Sequence, residues 1–108
     1  MNFGEAFSAL KELSESKRVF FAIKEEIPFA GECQIKGLSE EGFWVSFEGG
    51  FKSFFWRLDV DGLRFEKRTL SDFVSEEQTA IPATSMFTPG LLIVAPDGRS
   101  LFLMEPLQ

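Results

Sequence analysis

The chain reads as an α+β protein: an N-terminal helix packed on a curled antiparallel sheet or small β-barrel of six or seven strands. Three observations predict this. An apolar stripe recurs at helical spacing near the N-terminus. Beyond it, short β-branched and aromatic runs return about every 8–12 residues, separated by turn signals. Finally, fourteen Phe and two Trp stand among 108 residues that include no Tyr and no His. Phe brings buried apolar surface and no polar atom, whereas His is the commonest general base and metal ligand. The composition equips the chain to build a core and leaves out the usual tool for chemistry.

The elements follow in order. Phe3, Ala6, Phe7, Leu10 and Leu13 form one face of a helix over 3–14, with Glu5, Lys11 and Glu12 facing water. That helix is too short to stand alone and must dock. From residue 18 to 68 the pattern is β-rich. Residues 18–24 form a first strand, and Pro28 breaks the chain because it has no N–H for a central ladder. Residues 30–36 form a second strand, with Cys33 and Ile35 on one face and Glu32, Gln34 and Lys36 on the other. A turn over 37–42 leads to a strand at 43–48, which puts Phe43, Val45 and Phe47 opposite Trp44 and Ser46. Gly49-Gly50 closes a hairpin onto a strand at 51–60. Asp61-Gly62 signals a tight turn and a further hairpin onto 63–68. Residues 71–78 read as a short helix, 79–90 as a loop, and 91–105 as a C-terminal hairpin around Pro96-Asp97-Gly98-Arg99. A length of 108 residues suits one domain, 1–108, with a single core.

The net charge is −6, unevenly spread. Residues 51–70 alone are basic, with five cations (Lys52, Arg57, Arg64, Lys67, Arg68) against three acids (Asp59, Asp61, Glu66). An acidic chain lacks the basic footprint of a nucleic-acid binder, so no nucleic-acid partner is expected. No apolar run reaches membrane-spanning length, and Met1–Glu5 has no signal-peptide character, so a cytoplasmic protein without a membrane partner is expected. Cys33 has no second cysteine to pair with, and its neighbour Glu32 disfavours a thiolate, so it reads as inert packing.

No catalytic residue emerges. Without His there is no Ser-His-Asp or Cys-His arrangement, and with a single Cys there is no zinc site. Asp59-Val60-Asp61-Gly62 is the nearest approach to a hard-cation loop, and a hairpin turn explains it better. The pairs Glu25-Glu26, Glu40-Glu41 and Glu76-Glu77 do not converge, since adjacent strand residues point to opposite faces. No metal and no cofactor is expected, and the chain reads as non-enzymatic.

One segment carries a resemblance. In Gly37-Leu38-Ser39-Glu40-Glu41-Gly42, the Ser39 and Gly42 spacing resembles the Asp/Asn-x-Ser-x-x-Gly corner of PilZ domains, with Gly37 in the leading position. Lys17-Arg18 opens a strand where that family places its Arg-x-x-x-Arg element, but no basic residue lies four positions from either. Arg64 and Arg68 have that spacing, but they follow the Ser/Gly turn and take no family role. The resemblance implies a β-barrel that contacts cyclic di-GMP through Ser39, Gly42, Lys17 and Arg18. The missing arginines would make the nucleotide site degenerate, leaving a module that acts through protein contacts. A protein partner or a homodimer fits that reading.

A second expectation comes from composition. Trp44, Phe54, Phe55 and Trp56 place aromatic rings on both faces of neighbouring strands. With an acidic chain around them they could form an interface, or a pocket for an apolar or cationic small molecule. The alternative is that helix 3–14 covers one of those faces.

Overall fold

A computed structural model describes residues 1–16, 18–23, 29–47, 52–72 and 88–105. Helix α1 (Phe3–Glu15) is followed by β1 (Val19–Ile23), β2 (Phe29–Ser39), β3 (Gly42–Phe47), β4 (Lys52–Arg57), β5 (Arg64–Thr69), β6 (Pro89–Val94) and β7 (Ser100–Met104). All seven strands form one antiparallel sheet in the order β4-β3-β2-β1-β7-β6-β5.

The helix starts where Asn2 and Glu5 form a reciprocal cap. The Glu5 N–H donates to Asn2 Oδ1 at 2.8 Å, and the Asn2 N–H donates to Glu5 Oε1 at 3.2 Å. Its apolar stripe docks as the spacing predicts. Ala6 and Leu10 are fully buried, and Phe7, Ala9 and Leu13 pack against the same core. Phe3 stacks on Phe7 and meets the edge of Phe65 on β5.

The sheet is curled, and chain length requires it. β4 and β5 are the two ends of the sheet, yet only residues 58–63 join them. Seven flat strands at about 4.8 Å spacing would hold the ends roughly 29 Å apart. The seven steps from Arg57 to Arg64 reach at most about 25 Å. Curling brings Phe21 of β1 against Phe54 of β4, with ring centroids 6.4 Å apart. It also brings Arg99, in the β6–β7 turn, over Trp56 of β4.

One core fills the inner face. It contains Val19, Phe21, Cys33, Ile35, Phe43, Val45, Trp56, Phe65, Leu91, Ile93, Leu101 and Leu103, with Ala6 and Leu10 of α1 inserted. A second cluster lies on the outer face of the central strands: Phe20, Ala22, Leu92, Phe102 and Met104. Strands β1, β6 and β7 are thus buried on both faces, which is why their sequences run almost continuously apolar. In β2 and β4 burial alternates instead, and in β3 the outward Ser46 is buried alongside the inward Val45.

Several sequence expectations need correcting. The sheet is not closed into a barrel, since β4 and β5 do not pair. The expected 51–60/63–68 hairpin therefore does not form, although Asp61-Gly62 does make a turn. The Leu58 N–H donates instead to the Glu41 carbonyl at 2.9 Å, and the chain then crosses to β6, where Phe65 pairs with Ile93. A turn signal fixes the local reversal and leaves the partner of the next strand to packing. Leu58 is buried, and Val60 is exposed. The second strand runs on to Ser39 through an irregularity between Lys36 and Ser39, so the 37–42 turn shrinks to Glu40-Glu41. At 70–72 there is a single 3-10 turn, and the remainder of the expected 71–78 helix lies outside the described residues, as do Lys24, Pro28 and Gly49-Gly50. The C-terminal hairpin is present: the Ala95 N–H donates to the Arg99 carbonyl at 2.8 Å, and Gly98 takes φ +94° in the turn.

Candidate functional site

Among the described residues singled out by the PilZ resemblance, Ser39 and Gly42 come together and Arg18 stands apart from them. Lys17 lies outside the described residues. Arg18 forms an exposed ion pair with Glu32 across the β1–β2 ladder. Ser39 and Gly42 are cross-strand partners flanking the Glu40-Glu41 turn. Val19 pairs with Cys33, and Ser39 lies six residues further along β2. At about 3.3 Å per residue, Arg18 and Ser39 are on the order of 20 Å apart.

Local roles occupy both turn residues. Ser39 Oγ accepts from the Glu41 N–H at 3.3 Å. Gly42 has φ +152°, and a Cβ there would stand 2.3 Å from the Trp56 carbonyl oxygen and 2.7 Å from the Phe55 ring. The glycine gives β4 room to approach the β2–β3 corner.

The four aromatics divide between the two faces of the sheet. Phe54 and Trp56 point inward, where Phe54 meets Phe21 and Phe47 and Trp56 is 8% exposed. Trp44 and Phe55 point outward as direct cross-strand partners on β3 and β4. Their rings meet edge to face with centroids 5.2 Å apart, and they stay 46% and 40% exposed. Helix α1 packs on the inner face, so it covers the Phe54/Trp56 side and not the Trp44/Phe55 side. Lys36 pairs with Trp44 in the same cross-strand row, which reads Lys36–Trp44–Phe55 from β2 to the open strand β4.

At the end of β4 a cleft of about 300 Å³ separates Trp56 from the β6–β7 turn. The Arg99 guanidinium stands 5.8 Å from the centre of the Trp56 ring, so the chain's own cation occupies an aromatic face a cationic ligand would use. Arg99 is held there by Asp97, which accepts from the Arg99 N–H at 3.0 Å and from Nε at 2.8 Å. These hydrogen bonds, the backbone one foremost, hold the Asp97 carboxyl below its usual range. Arg57 donates two hydrogen bonds to Asp59, at 2.9 and 3.0 Å, and depresses that carboxyl too. Asp59 is thereby committed to an arginine, and no cluster of potential metal ligands occurs among the described residues. Trp56 Nε1 is buried and has no hydrogen-bond partner among the described residues, a cost of about 1–3 kcal/mol set against the packing of the indole.

Cys33 sits in the core at 5% exposure. Burial, with the nearby Glu32 charge second, pushes its thiol up to about 12, so it carries no thiolate near neutrality. No described helix is long and apolar enough to cross a membrane.

Sequence reading did not single out two features. Arg99 lies 43 positions from Trp56, and nothing local marks their contact. A cavity of about 570 Å³ opens between α1 and the ends of β5, β6 and β7, with Glu12, Lys67 and Glu105 around it. These charges come from three distant segments, and their periodicity reads only as solvated surface. No family model, no curated protein and no solved structure matches the chain.

Proposed function

We propose that this protein is a non-enzymatic binding or regulatory module that acts through protein contacts made by the outer face of β3 and β4. The observation that carries this reading is the exposed Trp44–Phe55 pair. Two large, half-exposed rings stand side by side on β3 and β4, and the other edge of β4 has no partner among the described residues. Aromatic residues are enriched at interfaces, and an open strand edge presents backbone donors and acceptors to a second chain. A polar frame surrounds the pair: Lys36, Ser53 and the Arg57–Asp59 ion pair.

A PilZ-like descent with a lost nucleotide site belongs to the same reading. The descent rests on the Ser39 and Gly42 spacing alone, and the engagement of Arg18 by Glu32 and of Ser39 by its own turn supports only the loss of the site. The competing idea, a pocket for apolar or cationic ligands built from Trp44, Phe54, Phe55 and Trp56, draws less support. The four rings split across both faces, and Arg99 already covers Trp56.

Sedimentation velocity across a concentration series, with mass analysis of co-purifying protein, tests the proposal. The wild-type chain is expected to self-associate or to retain a partner. The double variant Trp44→Ser/Phe55→Ser should lose that association while unfolding in urea with an unchanged slope. A wild-type protein that stays monomeric and carries no partner overturns the reading, as does association that survives in the double variant.

A further inference from the structure

The backbone of β4 alternates in where its polar groups point. The Leu58 N–H donates to the Glu41 carbonyl at 2.9 Å, one step past the Gly42–Arg57 pair and in the same register. Successive residues of an antiparallel strand turn their N–H and C=O groups to opposite sides. Phe54 and Trp56 therefore bond to β3. Ser53, Phe55 and Arg57 aim both backbone groups the other way, at an edge with no partner among the described residues. All three are exposed. The two edges of the sheet differ in protection. Arg64, Glu66, Lys67 and Arg68 make up most of β5, and charges along an edge resist a further strand. In β4 the charges stand only at the ends, Lys52 and Arg57, around Ser-Phe-Phe-Trp. Arg57 is already matched by Asp59. The strand holds no proline and pairs with β3 without a bulge.

We infer that this edge takes the β4 edge of a second copy of the chain, antiparallel, with Phe55 opposite Phe55 on a two-fold axis. That register is the self-complementary one. It sets Ser53 opposite Arg57 in both directions, so the outward backbone groups of all three residues meet and exchange about six hydrogen bonds. An axis at Phe54 or Trp56 aligns fewer of them. An axis at Arg57 sets two guanidinium groups directly opposite, which is destabilising. With the axis at Phe55 those groups are four residues apart, roughly 14 Å, beyond the screening length of about 8 Å. Directly paired residues share a face, so the outer row Lys36–Trp44–Phe55 runs on into Phe55, Trp44 and Lys36 of the second copy. Both half-exposed ring pairs then leave water together, with a lysine at each end of the row. One strand edge and one ring pair per copy bury less than about 1,200 Å², the size of weak, reversible complexes. Each copy has one such edge to give, so association stops at the dimer. This pairing rests on the protein-contact reading and gives it a partner.

Sedimentation velocity of the full chain from about 10 μM to about 1 mM should show a monomer–dimer equilibrium with no larger species. In a mixture of ¹³C-labelled and unlabelled chains, filtered NOEs should join Phe54 Hα of one copy to Trp56 Hα of the other. That is the close, non-hydrogen-bonded pair this register creates, with Cα atoms about 4.5 Å apart. Ser53→Pro removes an N–H that takes no part in the β3 ladder, and proline is tolerated at such edge positions. It should weaken the dimer at least about tenfold while leaving the Trp44–Phe55 pair in place and the urea midpoint near that of the wild type. The filtered NOE uses the wild-type chain, so it decides even where the variant does not fold. A chain that is monomeric at about 1 mM, a dimer without that NOE, or a folded Ser53→Pro variant that dimerises like the wild type overturns the inference. A chain that is monomeric alone yet holds a different protein through Trp44 and Phe55 overturns the pairing and leaves the protein-contact reading standing. A chain that is monomeric and holds no partner overturns both.

Discussion

Replacing Gly42 by alanine probes the contact that shapes one end of the sheet. Two costs add at this position. Its φ of +152° is disfavoured for a residue with a Cβ, and the added methyl would meet the Trp56 carbonyl oxygen at 2.3 Å and the Phe55 ring at 2.7 Å. Gly98 separates the two costs. It has φ +94° and nothing within 4 Å of a Cβ, so Gly98→Ala carries the backbone cost alone, about 1–2 kcal/mol. Gly42→Ala adds overpacking against a backbone atom, about 1–3 kcal/mol. The expected total is therefore about 2–5 kcal/mol, a large part of the roughly 5–15 kcal/mol that holds a typical domain together. Urea denaturation followed by tryptophan fluorescence measures both variants, and Trp44 and Trp56 flank the site on β3 and β4. Gly42→Ala should unfold at a clearly lower midpoint than Gly98→Ala, with Trp emission altered before unfolding begins. Equal losses in the two variants would refute the close approach of β4 to the β2–β3 corner. They would also return Gly42 to the pool of residues free to serve a ligand.

Two further expectations concern the core. Phe102 is fully buried in the outer-face cluster, so Phe102→Ala should cost about 3–5 kcal/mol. A loss under about 1 kcal/mol in urea would show that this second face is not a packed core. Cys33 links stability to alkaline pH. Its thiol titrates near 9.0 when unperturbed and at about 12 in the fold. Between those values the unfolded chain releases the proton and the folded chain keeps it. The folded state therefore loses about 1.4 kcal/mol per pH unit as pH rises from 9 towards 12. Urea midpoints of the wild type and Cys33→Ala, compared at pH 8 and pH 10.5, should converge as pH rises, and parallel behaviour would contradict the buried thiol.

Much of the fold is legible in local pattern. The 3.6-residue stripe from Phe3 to Leu13 fixes both the helix and its docking face, because an isolated helix of that length has no other way to be stable. The alternation in Phe43–Phe47 fixes which residues of β3 turn inward, because side chains of a regular strand alternate between its two faces. The continuous apolar runs of β1 and β7 carry the mark of strands buried on both sides. The Pro96–Arg99 reversal is equally local. The aromatic surplus also points to a real feature, since Trp44 and Phe55 are more than one face of the sheet absorbs.

Tertiary structure alone decided the rest. Asp61-Gly62 specifies a reversal, yet β5 pairs with β6, because the apolar match of Phe65 with Ile93 depends on a strand that arrives some 25 residues later. The curl follows from joining the two ends of the sheet with six residues, a constraint that appears only once the strand order is known. Curling brings Arg99 to Trp56, and docking of α1 brings Glu12 to the same cavity as Lys67 of β5. Side-chain period is a property of neighbours along the chain, so the sequence by itself determines faces and turns. Which faces meet is a property of the closed object, so partners and cavities are set only when the sheet folds over its helix.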